Sequence, residues 1–328
     1  MINYLESLSK PIFILAPMDD VTDTVYRQII ASCAKPDLFF TEFVNVDGLQ
    51  SPGRTKLIDK LKFSKTEKPI FAQIWGKVPN NYLKTANELV EMGFGGIDIN
   101  MGCPDKTIVR HGGCSALINN RDLAAQIIQA TKTGAAGRIP VSVKLRTGFD
   151  SVDLSWPEFV LKQDIDMLTV HGRTTRELSK VPVNWQDIVE VRKIRDVISP
   201  NTLIIGNGDV VSRQQGELIA KKYKLDGIMI GRGALSNPYV FNKDNKWQEF
   251  NPSQKMEVYK QHLILFEKIW GLDKHNFQGL KKFAKNYISG FNDASNIRSD
   301  FVRKQSLEEM IEVLDKAIST DHPSQPSP

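Results

Sequence analysis

Residues 203–235 read LIIGNGDVVSRQQGELIAKKYKLDGIMIGRGAL, and the fold can be worked out from this stretch. An apolar run, Leu203–Val210, passes through Gly206-Asn207-Gly208-Asp209. Helical periodicity follows over Ser212–Tyr223, with Ser212 where an N-cap belongs. A second apolar run, Gly227–Leu235, passes through Gly231-Arg232-Gly233. Both runs are continuous rather than alternating, as in strands buried on both faces of a parallel sheet.

The same unit recurs upstream. Six further runs have strand character: Ile12–Met18, Leu38–Phe43, Ile70–Gly76, Gly96–Gly102, Val141–Gly148 and Met167–Thr174. Helical periodicity lies between them. Asn81–Met92 carries Leu83, Ala86, Leu89 and Val90 on one face, and Arg121–Thr133 carries Leu123, Ala124, Ile127, Ile128 and Thr131. Asp187–Val197 behaves likewise, and Asn80 and Asn120 stand at N-cap positions. Eight strands with connecting helices predict an α/β fold, a (β/α)8 TIM barrel over residues 1–244. An open doubly wound sheet fits less well, because there are eight units and no early GxGxxG.

The pattern changes near Asn245. From Ser253 to Ser319 only helical segments are expected: Ser253–Trp270, His275–Gly290 and Ser306–Ile318. Residues 245–319 read as a small all-helical domain, and 320–328 as a disordered tail. Between Lys274 and Lys304 seven Lys and Arg face only Asp293 and Asp300, a local charge of +5. Such a stretch is either a solvated helix face or a phosphate-binding surface.

Composition excludes several classes. The 328 residues are 41% hydrophobic and 25% charged, so the chain is globular and large enough to need no covalent staple. Cys33, Cys103 and Cys114 make an odd, sparse set without zinc-ligand spacing, and there are five histidines, so neither a disulfide framework nor a metal site is expected. The N-terminal MINYLESLSK lacks the form of a signal peptide, and no apolar run spans a bilayer. A cytoplasmic monomer is expected. A net charge of +5 permits a nucleic-acid partner without requiring one.

Active sites of such barrels gather at the C-terminal ends of the strands. Those ends supply Pro17, Met18 and Asp19, then Gln73, Asn100 and Cys103, then Lys144 and Arg146, His171 and Arg173, Asn207, Gly208 and Asp209, and Gly231 and Arg232. Two glycine turns on the last two strands suit close approach of backbone N–H groups to a phosphate. Lys144 in a buried run suits an anionic ring, and Gln73 a heteroaromatic edge. Cys103, between Gly102 and Pro104, is a candidate nucleophile or proton donor, with a packing residue as the other reading. Cys114, in Gly112-Gly113-Cys114-Ser115, reads as a small turn residue and Cys33 as core.

Taken together, these residues resemble the tRNA-dihydrouridine synthase family from about Ile12 to Phe241, and more weakly beyond. The motifs are Ala16-Pro17-Met18 with Val21-Thr22-Asp23, Thr41-Glu42, Gln73-Ile74-Trp75-Gly76, Asp98-Ile99-Asn100-Met101-Gly102-Cys103-Pro104, Val143-Lys144-Leu145-Arg146-Thr147-Gly148, His171-Gly172-Arg173-Thr174, Gly206-Asn207-Gly208-Asp209 and Gly231-Arg232-Gly233-Ala234. The resemblance implies a flavoenzyme reducing the C5=C6 bond of tRNA uridines, with FMN as cofactor and NADPH (or NADH) as electron donor. It assigns hydride delivery at C6 to the flavin and proton donation at C5 to Cys103. Pro17, Met18, Asp19, Gln73, Lys144 and His171 would hold the ring and ribityl chain, and Asn207, Gly208, Asp209, Gly231 and Arg232 the phosphate. Asn100, Arg173, Lys281, Lys282, Lys285, Arg298 and Arg303 would meet the tRNA. Two stretches depart from the family pattern: the loop Thr175–Pro182, and Cys114, where glycine is commoner. A flavin barrel acting on a free pyrimidine and a non-catalytic RNA-binding barrel are the competing readings.

Overall fold

The computed structural model describes residues 4–244, 246–271 and 275–320. Nine short strands form one parallel sheet: β1 (Ile12–Leu15), β2 (Phe39–Phe40), β3 (Val44–Asn45), β4 (Ile70–Trp75), β5 (Gly96–Met101), β6 (Val141–Arg146), β7 (Met167–His171), β8 (Leu203–Asn207) and β9 (Gly227–Ile230). Their order is β1-β9-β8-β7-β6-β5-β4-β2, with β3 also on β4. A bridge between Ile14 and Leu38 closes the ring, helped by Leu15 N–H donating to Leu38 C=O at 3.1 Å. The protein is therefore a (β/α)8 barrel with a helical C-terminal region.

Strand register explains the interior. Residues paired across parallel strands point to the same face, so Phe71, Gly96 and Ser142 share a side, as do Met167, Leu203 and Ile205 one step on. At the N-terminal ends of the strands this face is apolar. Ile12, Ile14, Leu38, Phe40, Phe71, Met167, Ile205 and Met229 pack into one cluster. Nearer the C-terminal ends the same face turns polar, with Gln73, Asp98, Asn100, Lys144, Thr169, His171 and Asn207. The floor of the barrel is dry and its upper half on β4–β8 is built for hydrogen bonding.

Some expected boundaries move. The second run is a strand only at β2, and a further short strand, β3, begins just beyond its expected end at Phe43. The last run ends at Ile230, and the apolar Gly233 and Ala234 belong to a short helix, Arg232–Ser236. Asn120 and Ser212 cap their helices as expected. Asn80 does not: Pro79 takes the first helical position and Val78 is the cap. A further helix, Ala294–Arg303, lies in the basic stretch, and the expected His275–Gly290 helix is a 3-10 turn, Phe277–Phe283, followed by Ala284–Tyr287. The expected tail, except Thr320, and Lys274 lie outside the described residues.

The chain divides into two compact units, Met1–Thr24 with Pro36–Gly231, and Val25–Lys35 with Arg232–Pro328. The first barrel helix, Thr24–Ala34, thus sorts mostly with the helical unit. The cause is aromatic packing within that unit: Tyr26 stacks on Phe283 at 5.4 Å and lies 5.9 Å from His262. Tyr259 stacks on Tyr287 at 4.8 Å, and Phe301 lies 5.0 Å from Tyr259. The helices of this unit are held by ring burial, which leaves their charged residues at the surface.

Helices Pro79–Glu91 and Arg121–Ala135 touch through Gly134. A Cβ there would lie 2.3 Å from the Leu83 carbonyl oxygen and 2.8 Å from Ala86 Cβ. Alanine improves helix propensity by about 1 kcal/mol, whereas overpacking costs about 1–3 kcal/mol, and a carbonyl on a facing helix cannot swing aside. Gly134→Ala should therefore destabilise the barrel, by up to about 2 kcal/mol net. Urea unfolding reads this directly, and an unchanged or raised midpoint would show that the helices separate freely.

Candidate active site

A chain of side-chain hydrogen bonds crosses the polar half of the barrel. Gln73, fully buried, donates from Nε2 to Asp98 Oδ2 at 2.7 Å and accepts at Oε1 from Asn100 Nδ2 at 3.0 Å. Ser142 Oγ donates to Asp98 Oδ1 at 2.6 Å. Burial pushes the Asp98 carboxyl up to about 6, opposed by the Ser142 and Gln73 hydrogen bonds and the Lys144 charge. Asn100 then turns the chain: its Oδ1 accepts from Gly102 N at 3.1 Å and Cys103 N at 2.9 Å. Gln73 and Asn100 thus use their amides largely inside the protein, where they fix the turn that bears Cys103.

Cys103 is half-buried. The Cys114 thiol beside it and the Asp105 backbone lower the Cys103 thiol to about 7, against the opposing effect of burial. Cys114 is fully buried and raised well above its ordinary value, mainly by that burial. It sits at φ 50, in the left-handed region that glycine occupies freely. Ser115 N–H donates to Cys103 C=O at 3.4 Å, tying the two loops together. The sequence presents Cys114 as a small turn residue, and its burial against Cys103 has no signal in the spacing.

Lys144 points to the same face as Asp98 and Asn100. Burial, then the charge of Arg146, lower its amine to about 8, while Asp98 and Cys103 pull it up. It remains largely protonated at neutral pH. Arg146, buried, donates from Nε to Gly102 C=O at 2.9 Å and from Nη1 to Thr174 C=O at 3.0 Å and Leu178 C=O at 2.9 Å. It couples the Cys103 turn to the loop Thr175–Pro182.

Arg173 is also buried. It donates from Nε to Val181 C=O at 2.7 Å and from Nη1 to His171 Nε2 at 3.1 Å, and its Nη2 pairs with Asp209. It braces this rim from within, and the geometry gives it no free face for tRNA. Gly208 has φ 131 and Asp209 φ 54. A Cβ on Gly208 would lie 2.3 Å from Val183 and 3.2 Å from His171, so only glycine fits. Two successive positive φ values make a tight glycine turn at the end of β8, a place where phosphate sites recur in this fold. Pro17 and Met18 are half-buried and Asp19 is exposed in the turn after β1. Gly231 follows β9, and Arg232, exposed, opens the next helix. Asp19, Asp20 and Glu42 bring three carboxylates together, and Lys60 serves as their cation, bonding Asp19 and lying 3.4 Å from Glu42 and 3.8 Å from Asp20.

In the helical unit the basic residues divide. Lys281 donates to Lys304 C=O and Arg298 to Ile288 C=O, each at 2.6 Å, so both have structural bonds. Lys282, Lys285 and Arg303 are exposed. Among the described residues no helix is long and apolar enough to cross a membrane.

Known proteins resemble this chain in sequence and in fold. A family model described as Dihydrouridine synthase (Dus) matches residues 14–322. The chain is 42% identical to a probable tRNA-dihydrouridine synthase of Staphylococcus aureus (strain COL), over 96% of this chain and 95% of that one. It is 41% identical to the probable tRNA-dihydrouridine synthase 2 of Bacillus subtilis (strain 168), over 95% and 96%. Among solved structures it resembles histamine dehydrogenase from Rhizobium sp. 4-9, with a TM-score of 0.52 and 12% identity, covering 80% of this chain and 51% of that one. A 2-naphthoyl-CoA reductase gives a TM-score of 0.56 and 12% identity, covering 77% and 52%. The chain spans about half the length of each, and these two likenesses concern the fold alone. With the model match spanning nearly its whole length, the chain belongs to the dihydrouridine synthase family.

Proposed function

We propose that this protein is a tRNA-dihydrouridine synthase that reduces the C5=C6 bond of specific uridines, with FMN as cofactor and NADPH as electron donor, working as a cytoplasmic monomer. The observation that carries the chemistry is the half-buried Cys103 thiol, held by Asn100 on a fixed turn beside the Lys144 ammonium.

The residues present suit a flavin. The Lys144 ammonium has no hydrogen-bond or ion-pair partner among the described residues and can answer the negative charge of a reduced ring. Met18 and His171 offer surfaces for the ring and ribityl chain, and Gln73 retains one amide hydrogen. The glycine turn at Asn207–Asp209, with Gly231 and Arg232, suits the phosphate, because backbone can approach an anion closely there. The Asp209 carboxylate has the wrong sign for a phosphate and is neutralised by Arg173. When bound, FMN supplies the hydride for C6 of the uracil. Cys103 supplies the proton for C5. The base has to leave its stack to reach a barrel mouth, and Lys282, Lys285 and Arg303 offer exposed charge for backbone phosphates.

A positioned acid contributes about 10²–10⁴-fold. Cys103→Ala should keep flavin absorbance and tRNA binding and lose about 10²-fold or more in turnover. Near-normal single-turnover rates would remove Cys103 from the chemistry. The acid works only while protonated. With a thiol near 7, turnover should fall as pH rises through about 7. A pH profile flat to about 9, well above that thiol, would contradict this.

Replacing Lys282, Lys285 and Arg303 together by Gln should weaken tRNA binding and lower the salt slope by up to about 0.7–0.9 for each phosphate no longer neutralised. Filter binding across a salt series measures it. An unchanged slope would place the RNA elsewhere, and equal turnover of free uridine would favour the small-molecule reading.

A further inference from the structure

Cys114 is not needed to build the turn it occupies. At φ 50 a glycine would be free of strain, yet the position holds a thiol with no solvent exposure, set beside Cys103. The two loops are joined by Ser115 N–H on Cys103 C=O at 3.4 Å, so the backbone itself holds Cys103 and Cys114 close together. Cys103 is half-buried and within reach of a small oxidant, whereas Cys114 is sealed behind it. An accessible attacking thiol backed by a sheltered resolving thiol is the arrangement of a reversible peroxide sensor.

We propose that Cys103 and Cys114 form a reversible disulfide on exposure to hydrogen peroxide, which switches the enzyme off and protects Cys103 from irreversible oxidation. The Cys103 thiolate attacks one peroxide oxygen, the O–O bond breaks, and hydroxide leaves with the electron pair, giving a sulfenic acid at Cys103. The Cys114 sulfur then attacks the Cys103 sulfur. The S–S bond forms, the S–O bond breaks, and water departs with the Cys114 proton. Two thiols are oxidised by two electrons and one peroxide is reduced to two waters after proton uptake. Loss of turnover on oxidation rests on Cys103 being the acid. Formation of the disulfide does not.

The third thiol is an internal control. Cys33 is pushed up to about 11, chiefly by burial, and has little thiolate at neutral pH. The test uses the purified flavin-loaded protein treated with a few equivalents of hydrogen peroxide, then alkylated under denaturing conditions and mapped by non-reducing peptide mass spectrometry. Free thiols should fall from three to one. A Cys103–Cys114 linked peptide two mass units lighter than the sum of its reduced parts should appear, and dithiothreitol should restore both thiols and the activity. In Cys114→Ser, judged against its own untreated activity, Cys103 should instead gain 32 mass units and not recover with dithiothreitol. A wild-type Cys103 peptide carrying those 32 mass units, with Cys114 still alkylated, would overturn the proposal. So would three free thiols after treatment. If the linked peptide forms and turnover persists, the protective disulfide stands, but the switch and the acid role of Cys103 both fail.

Discussion

The Asn100 amide is the interaction on which the geometry of this site depends. Its oxygen receives two consecutive backbone N–H groups, at Gly102 and Cys103, and its nitrogen reaches Gln73 on the neighbouring strand β4. The turn after β5 is therefore pinned to the sheet rather than to solvent. Pro104 then limits the exit of the chain, and Asp105 caps the short helix Lys106–Arg110 through its carboxylate. Cys103 inherits its orientation from this sequence of constraints.

A second set of constraints comes from buried arginines. Arg146 and Arg173 bind carbonyl oxygens of the loops around the mouth, so the rim is shaped by charge-assisted bonds to backbone rather than by apolar packing. Such bonds are costly to break singly, because each would leave a buried guanidinium unsatisfied. They also load the mouth with positive charge. Lys144, lowered by burial and then by Arg146, stays above neutrality, which keeps it charged and available. The barrel floor pays no such electrostatic cost.

Much of this is legible in the sequence. Continuous apolar runs mark every strand, since parallel strands covered on both faces have no polar side to reveal. The runs fail at their ends. Gly231–Leu235 is as apolar as a strand but turns into a helix, and Thr41–Phe43 carries the chain between two ladder segments. The helix Ala294–Arg303 is hidden by its charge, because its buried anchors are few, chiefly Ala294 and Phe301. At the site, residue types at strand ends find Cys103, Lys144 and Asn207. Partners are less accessible. Nothing in the spacing says that Arg173 turns inward to His171 and Asp209, or that Cys114 lies against Cys103. Those facts depend on loop backbones, where a single left-handed residue redirects a side chain.

The barrel's closure has a consequence for how the protein is made. Strand β1 emerges early from the ribosome, but its full ladder partner is β9, with Ile12 matched to Gly227 and Leu15 to Ile230. Until that last strand appears, β1 is held on its other side by the Asp37–Leu38 segment. Bringing such distant segments together costs on the order of 5 kcal/mol in loop entropy, returned only when the ring shuts. A nascent chain thus carries two unsatisfied sheet edges through most of translation.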